Sequence, residues 1–449
     1  MSIKLTICVN KKIPIAGFTF KNHNFGKNFL RMKVYKFGGA SVKDAVAIRN
    51  IGKIIARSDA PLIVVVSALG KTTNELENVL NGLYGGDDDP VLLLKEVYER
   101  HLSVVSDLGL VDEELNDCIQ DSYEDLREYL SGSKRENYDR DYDQIVSAGE
   151  IWSSRIIASW LMSEGHMCKW VDIRKVLITD KRFRDANIKW AESEARANFI
   201  FRAPGTDLFL TQGFIGGTED GLNTTLGREG SDYTAAVIAN MVDASEVQVW
   251  KDVPGILNAD PKWLDDAVVM EQLSYREAVE MSFSGAKVIH PKTIKPLHNK
   301  GIPLIVKSFI NTDKTGTLII GDEHEEINLP VFIRKQNQIL ISILSRDFSF
   351  AIGDNISRIL GMFYDIGIKA NMVQASAVSV AVCADDDGRR IRKLISELEK
   401  DYSVIYNTGV EMLTIRQYTP DAVRKVCGNR EMLVEQKTRR TVQLVVKTM

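Results

Sequence analysis

The sequence predicts an α/β protein in which a mostly parallel sheet lies between two layers of helices and is followed by smaller βαββαβ modules. Three features indicate this fold. Units of strand, glycine-containing loop and helix recur from Met32 onward. Residues 62–66 form a continuous apolar run, which is typical of a strand buried on both faces of a parallel sheet. Beyond residue 330 the pattern changes to strand, helix, two strands, helix and strand.

Length and composition exclude several classes of protein. A chain of 449 residues predicts two or three domains of roughly 150 residues each. The formal net charge of -4 gives no bulk attraction to nucleic acid or acidic lipid. No apolar run approaches the roughly 20 residues of a membrane span. The 5 cysteines are scattered, without a CxxC or Cys/His cluster, so we expect neither disulfides nor zinc, and a cytoplasmic location.

The first 31 residues differ from the rest, because they carry six basic residues and no Asp or Glu. This composition is compatible with a transit-type peptide. However, Pro14 and Gly17 break its apolar runs, and no secretory apolar region with a cleavage site stands out. Since a strand pattern starts directly at Met32, we expect the functional protein to begin near there and the extension to be dispensable. Deletion of residues 1–31 tests this expectation.

The first two units of strand, loop and helix begin the predicted sheet. Residues 32–37 predict a strand, which Gly38 and Gly39 turn into a helix that begins near Ser41, with that serine as its cap. The apolar strand 62–66 ends in a second loop, 67–73, and another helix follows. Ligands of such sheets bind at the carboxyl ends of the strands, so these loops are candidates for a binding site.

The next segments are mainly helical. Residues 74–142 predict charged helices with a break at 85–90, and the run 145–150 leads into an amphipathic helix. Residues 167–178 predict a strand, a turn and a second strand, and 181–185 a charged loop. We interpret the helical part as an excursion over one face of the sheet.

The stretch 213–241 carries the strongest indication of a ligand site. An apolar run precedes a loop rich in glycine and threonine, and a helix opens at Ser231 and Asp232. Free N–H groups and the dipole at a helix N-terminus favour an anion, and Arg228 offers a planar fork for carboxylate or phosphate. The same pattern is compatible with an ordinary surface loop in which Ser231 or Asp232 caps the helix.

The remaining segments complete both regions. In the first, residues 246–250 predict a buried strand, 251–256 a turn, 283–291 a connector, and 304–306 and 315–319 late strands. After residue 330, the pattern predicts one ferredoxin-like module and part of a second. Its predicted strands and helices are residues 339–344, 354–364, 377–383, 389–398, 410–415, 420–427 and 441–446.

Seven blocks of this sequence, in order and spacing, resemble the aspartokinases, a family with the amino-acid kinase fold and C-terminal ACT regulatory modules. The resemblance covers residue 34 to about residue 320, and more loosely the C-terminal region. It implies an extension at 1–31, a catalytic domain at 32–329 and an ACT region at 330–449 with one module and a shortened second. The blocks are VYKFGGAS (34–41), VVVSALGKTTNEL (64–76), VSAGEIWSS (146–154), QGFIGG (212–217), TTLGREGSDYTA (224–235), VWKDVPGILNADPK (249–262) and FSGAKVIHP (283–291).

The resemblance implies transfer of the ATP γ-phosphoryl group to the β-carboxylate of L-aspartate, the first step of lysine, threonine and methionine biosynthesis. A carboxylate is already deprotonated at neutral pH, so this reaction needs no general base. It needs cations and N–H donors that align two anions, and the seven blocks contain such groups. Two alternatives stay open: an ACT-based amino-acid sensor with a weakened kinase domain, and a related kinase of another acidic amino acid.

The resemblance assigns the acceptor site and the transfer chemistry. Lys36, Arg228 and Asp232 match the catalytic residues, with Asp232 orienting Lys36 and the substrate ammonium. The residues that match the aspartate pocket are Ser67, Thr72, Glu150, Phe214 and Arg228. Glu150 and Arg228 suit the ammonium and the α-carboxylate of aspartate. Phe214 is either an aromatic wall of this pocket or an ordinary core residue.

The nucleotide half is also assigned by the resemblance. The residues that match it are Lys36, Gly38, Gly39, Ser41, Lys251, Asp252, Leu257, Lys262 and Lys287. Mg²⁺ is implied by ATP, with phosphate oxygens and water as most of its ligands and no dedicated protein metal site.

Five positions before residue 330 depart from the family pattern, and one of them is Lys251, where the family often has threonine. Ala40 replaces a threonine hydroxyl, and Glu229 stands in GREGSD where the family has glycine. A carboxylate pointing inward there would repel phosphate, so we expect Glu229 to point to solvent. Leu257 and Lys262 replace a stacking tyrosine and a fork-shaped arginine, which predicts altered nucleotide affinity.

The resemblance of the C-terminal region to the ACT modules implies an amino-acid effector, lysine or threonine, and a homodimer built through these modules. Asn371 and Ser376 lie in the stretch that resembles the effector-binding strands. Lysine-inhibited members have aspartate at the position of Asn371, so the charge that would pair with the ammonium of lysine is missing. We therefore expect weak or altered feedback inhibition.

Overall fold

The computed structural model describes residues 31–132, 136–286, 289–321, 329–346 and 354–448. Contacts divide the chain into two compact units. The first contains residues 31–256 and 289–321, and the second contains 257–286 and the described residues from 329 onward. No helix among the described residues is both long and apolar enough to cross a membrane.

The first unit is built on a twisted α/β sheet whose strands lie in the order β3-β4-β2-β1-β7-β9-β10. All neighbours are parallel except β9 and β10, which are antiparallel. A separate antiparallel hairpin pairs β5 with β6. These strands are β1 (Lys33–Phe37), β2 (Leu62–Val66), β3 (Cys168–Val171), β4 (Leu208–Gln212), β5 (Ile215–Gly217), β6 (Asn223–Thr225), β7 (Glu246–Lys251), β9 (Leu304–Ser308) and β10 (Thr317–Ile320).

Helices cover the sheet of the first unit on both faces, which explains why every residue of β2 is buried. The apolar faces of the helices between residues 45 and 163 join the strands in one core. The helices are α1 (Ala45–Ile55), α2 (Thr72–Leu83), α3 (Pro90–Leu108), α4 (Glu113–Gly132), α5 (Tyr138–Ser163), α6 (Trp190–Phe201), α7 (Gly230–Met241) and α9 (Pro291–Lys300). The predicted parallel α/β fold is confirmed, including the helical excursion of α2 to α4.

Three local predictions for this unit are wrong. The first helix is not capped by Ser41, which lies in a 3₁₀ turn; Asp44 caps α1 by accepting a hydrogen bond from the Ala47 N–H at 2.8 Å. Residues 167–178 contain a single strand, β3, because the segment after it forms a second 3₁₀ turn. The glycine-rich loop contains the hairpin β5–β6, which the glycines obscured in the sequence pattern.

The second unit is built on an antiparallel sheet in the order β12-β13-β11-β14-β16-β15. Two of its strands, β11 (Val331–Ser345) and β14 (Tyr402–Arg416), have 15 residues each and run through both halves of the sheet. The other strands are β12 (Ala370–Ala375), β13 (Ser379–Asp385), β15 (Met432–Lys437) and β16 (Thr441–Lys447). This sheet confirms the predicted ferredoxin-like region.

Helices divide the second unit into two halves. Helices α10 (Asp354–Ile366) and α11 (Gly388–Leu398) bury their apolar faces on one half of the sheet, and α12 (Pro420–Cys427) on the other. The first half therefore has the complete βαββαβ order, and the described part of the second has a single helix of its own from the C-terminal region.

Residues 257–286 pack with the second unit and contain β8 (Gln272–Ser274) and α8 (Tyr275–Ser284). The guanidinium of Arg416 on β14 donates to both carboxylate oxygens of Glu277 on α8, at 2.5 and 2.8 Å. The sequence grouped this segment with the preceding strands, whereas its side chains attach it to the C-terminal sheet. The functional domain assignment stays a prediction.

Candidate active site

A cavity of about 550 Å³ lies in the first unit where β1, β2, β4 and β7 end. Parallel strands bring their carboxyl ends to one edge of the sheet, so the loops that follow them converge there. The backbone connects these loops directly: the Ser67 N–H donates to the Phe37 carbonyl at 3.1 Å, and the Gly213 N–H to the Val66 carbonyl at 2.9 Å. The residues predicted for the site that line this cavity are Lys36, Gly38, Gly39, Ser41, Ser67, Glu150, Phe214, Arg228, Asp232, Lys251 and Asp252.

A buried ion cluster lies on one wall of the cavity. The Nζ of Lys36, at the end of β1, is 2.7 Å from Oδ1 of Asp232 in the first turn of α7. The Nζ of Lys251, the last residue of β7, is 3.6 Å from the other carboxylate oxygen. Burial raises the pKa of Asp232, but the charges of Lys36 and Lys251 outweigh this effect and hold the pKa below its usual value. The cluster therefore places two ammonium groups around one carboxylate at the cavity wall, which suits an anionic ligand.

Gly38 and Gly39 bring the backbone close to this cluster. A Cβ on Gly39 would lie 2.6 Å from the Gly70 carbonyl oxygen, so a larger residue would separate the β1 loop from the β2 loop. A Cβ on Gly38 would lie 3.3 Å from the Lys36 Nζ. The hydroxyl of Ser41 donates to the Trp250 carbonyl at 3.3 Å, which ties the same turn to the end of β7. This loop can present N–H groups to phosphate oxygens.

Glu150 projects from the middle of α5 and is 2% exposed. Burial raises its pKa to about 8, although a hydrogen bond from the Ala68 N–H and the charge of Lys36 both act in the opposite direction. Its Oε2 has no hydrogen-bond partner among the described residues. A buried carboxylate oxygen without a partner is costly, and a ligand ammonium would satisfy it.

The loop before α7 contributes Phe214, Arg228 and Glu229. Phe214 lines the cavity and also packs against the core of the first unit, so both roles considered from the sequence hold for its position. The side chain of Arg228 is exposed, and among the described residues it makes no hydrogen bond or ion pair. The expectation that Glu229 points to solvent holds only in part: it is exposed, but its Oε2 accepts a hydrogen bond from the His290 N–H at 3.0 Å.

Comparison with known proteins shows the family to which this chain belongs. The amino acid kinase family matches residues 31–308. Lysine-sensitive aspartokinase 3 of Escherichia coli strain K12 is 31% identical over 357 residues, which cover 79% of this chain and 78% of that protein. The chain belongs to the aspartokinases of the amino acid kinase family. Chloroplastic bifunctional aspartokinase/homoserine dehydrogenase 1 of Zea mays is also 31% identical, over 78% of this chain but 39% of that protein. The chain spans about two fifths of the length of such plant relatives.

A solved aspartokinase has the same fold. Aspartokinase III of E. coli, in complex with aspartate and ADP in its R-state, aligns with a TM-score of 0.78 at 27% identity. The alignment covers 93% of this chain and 96% of that one. The predicted family and fold class are therefore confirmed.

In this aspartokinase, the structure places two adjacent threonines, Thr72 and Thr73, differently from the prediction. The Thr72 hydroxyl is buried and donates to the Leu69 carbonyl at 2.6 Å, and it accepts a hydrogen bond from Arg100 at 2.7 Å. Thr72 is absent from the cavity lining, whereas Thr73 is part of it. A step of one residue turns a helical side chain by about 100°, so the neighbouring threonine reaches the cavity instead.

Three predicted nucleotide-binding residues are not placed in the cavity. Leu257 and Lys262 belong to the second unit and are absent from the described lining. Lys287 lies outside the described residues. The described residues also contain no group of three or more His, Cys, Asp or Glu side chains that could hold a metal ion.

The two candidate effector residues lie in the second unit and have different surroundings. Asn371 on β12 is 7% exposed. Its Oδ1 accepts a hydrogen bond from Lys335 at 2.8 Å, and its Nδ2 donates to Gln338 at 2.8 Å and to Asp385 at 2.9 Å. Ser376 is exposed and shares a hydrogen bond with the Ser379 hydroxyl at 2.7 Å. The side chain of Asn371 is therefore already hydrogen-bonded to three side chains of the same sheet.

Sequence reasoning missed four residues of the cavity wall and one residue behind it. Tyr142, Arg184, Thr225 and Trp250 line it without having been marked. Asp143 lies behind them, fully buried on α5. It accepts hydrogen bonds from the Thr225 N–H at 2.9 Å, the Thr225 hydroxyl at 2.7 Å and the Arg184 N–H at 3.0 and 3.2 Å. The available signal was its position seven residues before Glu150, which places both on one helix face.

Proposed function

We propose that the chain is an aspartate kinase, which transfers the γ-phosphoryl group of ATP to the β-carboxylate of L-aspartate and forms 4-phospho-L-aspartate. The observation that supports this function best is the single cavity that holds the Lys36–Asp232–Lys251 cluster together with Glu150 and Arg228. The ammonium groups can bind phosphate. The carboxylate can bind the ammonium of an amino acid, and the guanidinium can bind its α-carboxylate.

The transfer step needs alignment and charge screening in place of proton removal. The β-carboxylate of aspartate is ionised at neutral pH, so it attacks phosphorus without a general base. We assign Lys36 to the transferring phosphoryl group, because its ammonium is buried and held by Asp232 at 2.7 Å. Asp232 fixes the position of that ammonium, and its lowered pKa keeps it an acceptor throughout.

The acceptor is held by charges of opposite sign. We assign Glu150 to the α-ammonium of aspartate and Arg228 to its α-carboxylate. Ser67 and Thr73 line the same cavity and offer hydroxyl groups, and Phe214 supplies an apolar wall. Glu150 favours a free amino acid over an N-acylated one, since an acetamide carries no positive charge to balance a buried carboxylate.

We assign the nucleotide phosphates to the Gly38–Gly39 loop, Lys251 and Asp252, which line the cavity near Lys36. The close approach of the loops at Gly39 fits a phosphate cradle. Mg²⁺ bound to the nucleotide would screen phosphate charge, with phosphate oxygens and water as its main ligands. Leu257, Lys262 and Lys287 stay candidate nucleotide contacts.

The regulatory part of the proposal concerns the C-terminal region. We propose a catalytic domain at 32–329, an ACT region at 330–449, a homodimer formed through that region, and a cytoplasmic location. The E. coli relative is named as lysine-sensitive. For this chain we propose weak or altered feedback by lysine or threonine, because Asn371 brings no negative charge and is bound to three neighbouring side chains.

Trapping of the acyl phosphate by hydroxylamine tests the reaction. The purified protein is incubated with MgATP, hydroxylamine and L-aspartate, L-glutamate or N-acetyl-L-glutamate, and the hydroxamate is measured. We expect product with L-aspartate, little with L-glutamate and none with the acetylated acid. Absence of product with L-aspartate would rule out the proposed function, and product with N-acetyl-L-glutamate would contradict the role of Glu150.

A further inference from the structure

Arg184 occupies a backbone conformation that arginine rarely adopts. Its φ is 66°, in the left-handed region, where a side chain is strained and glycine is favoured. Four non-glycine residues of the described first unit have a positive φ, and three of them line the cavity: Arg184, Phe214 and Glu229. Strained backbone of this kind is typical of residues that have a function at a binding site.

The backbone of Arg184 is fixed to the wall of the cavity. Its N–H lies between both carboxylate oxygens of Asp143, which also hold the N–H and hydroxyl of Thr225. Glu150 follows Asp143 by seven residues on α5, which corresponds to about 10 Å along the helix on the same face. One amino-acid ligand and one arginine side chain can cover that span.

The guanidinium of Arg184, in contrast, is held loosely. It lies 4.3 Å from the centre of the Tyr142 ring, and its nearest carboxylates are Asp139 at 3.6 Å and Glu77 at 3.7 Å. Both carboxylates are themselves partly exposed, so these pairs contribute little. A guanidinium stacked on an aromatic ring beside a binding cavity is available to a stronger anionic partner.

We propose that Arg184 is a second binding arginine for the acidic acceptor, which acts with Arg228 on the carboxylate that does not react. The proposal rests on the proposed function, since it requires an acceptor with two carboxylates. The strain at position 184 then has a physical reason: the left-handed backbone directs an arginine into the cavity while Asp143 holds the N–H in place. Arg184 contributes to acceptor affinity and takes no part in nucleotide binding.

The test compares R184A, R184K and R184G with wild type, with R182A as a control from the same loop whose side chain is 66% exposed and is absent from the cavity lining. KM and kcat are measured for L-aspartate and for ATP. We expect R184A to raise KM for L-aspartate about tenfold, as for loss of one charge-assisted hydrogen bond, with KM for ATP and kcat within about twofold. R184K is expected to recover part of the affinity for L-aspartate. R182A is expected to keep the wild-type affinity.

R184G separates binding from folding. Glycine relieves the strain at φ 66°, so R184G is expected to melt roughly 2–4 °C above R184A while showing the same raised KM. An unchanged KM for L-aspartate in R184A, with active wild type, would overturn this inference and leave the proposed function standing. A wild-type protein inactive with L-aspartate would overturn both. A KM effect equal for L-aspartate and ATP would also overturn the inference, because it would indicate general damage to the cavity.

Discussion

Lys36 carries the largest single share of the proposed chemistry. We expect Lys36→Ala to lower kcat at least a hundredfold, because removal of one preorganised charge at a reacting centre typically costs 10²- to 10³-fold. Lys33→Ala is the matched control, since it removes a lysine from the start of the same strand. Steady-state kinetics on both variants, with melting temperatures to confirm folding, provide the measurement. A folded Lys36→Ala enzyme with wild-type turnover would contradict the assignment.

Glu150 predicts a pH dependence of acceptor binding. Its pKa is raised to about 8, so in the free protein the carboxylate is mostly protonated below that pH. An ammonium requires the ionised form. KM for L-aspartate is therefore expected to fall by up to about tenfold per pH unit between pH 6 and 8 and to level off above. Glu150→Gln should show a high KM with this trend removed, and Glu164→Gln, at the exposed end of α5, should keep the trend.

The same group predicts a stability change of opposite sign to the activity change. Because the folded pKa lies above the unfolded value of 4.5, the folded state retains its proton between these values and loses stability as pH rises toward 8. Glu150→Gln should thus be more stable than wild type at pH 8.5, by up to about 5 kcal/mol for the pKa difference of about 3.5 units at 1.36 kcal/mol per unit. Denaturant unfolding at pH 8.5 and pH 5 checks this. A gain that does not shrink at pH 5 would contradict it.

At the scale of elements, α5 organises the cavity through two acidic residues on one face. Asp143 holds the backbone at Arg184 and Thr225, and its burial raises its pKa to about 6. Asp143→Ala would leave three donors without their acceptor. We expect a loss of about 2–4 kcal/mol in unfolding free energy and a raised KM for L-aspartate. Glu164→Ala, at the exposed C-terminal end of the same helix, is the control, and equal effects of the two variants would contradict this role.

The elements also show what the sequence could predict. The resemblance assigned Lys36, Asp232 and Lys251 to the site, and the fold brings Lys36 and Lys251 together because carboxyl ends of parallel strands meet at one edge. The choice between Thr72 and Thr73 could not be predicted, because it depends on the phase of α2 to within one residue. Arg184 was missed because nothing in a charged loop reveals a positive φ before the backbone is known.

The C-terminal half illustrates a second limit. Seven elements after residue 330 were predicted from their apolar periods, but β11 and β14 are much longer than predicted and β12 was not among the seven. The clustering of segment 257–286 with the second unit was not foreseen, since it depends on single long-range pairs such as Arg416 with Glu277. Such pairs leave no periodic trace in the sequence.

For the whole molecule, effector sensitivity is the property most open to test. We expect L-lysine at micromolar concentration to leave activity unchanged, and N371D alone not to restore inhibition. The Asn371 amide donates to Asp385 and Gln338, which a carboxylate cannot do, so N371D should destabilise the protein by about 1–3 kcal/mol. Ser403→Ala, an exposed change on β14, is the control. Strong inhibition of wild type by micromolar lysine would contradict this prediction.

The long strands β11 and β14 have a consequence for how signals could travel in the second unit. Each strand serves as a spine for both halves of the sheet, with paired residues from Val331–Arg416 at one end to Ser345–Tyr402 at the other. Two domains joined by a flexible tether could tilt independently, whereas these two halves share the strands β11 and β14, whose pairing continues across register shifts between Lys335 and Leu340. A disturbance on the α10–α11 side must therefore reach the α12 side as a change in twist of a common ribbon, and any message passed along it would be mechanical.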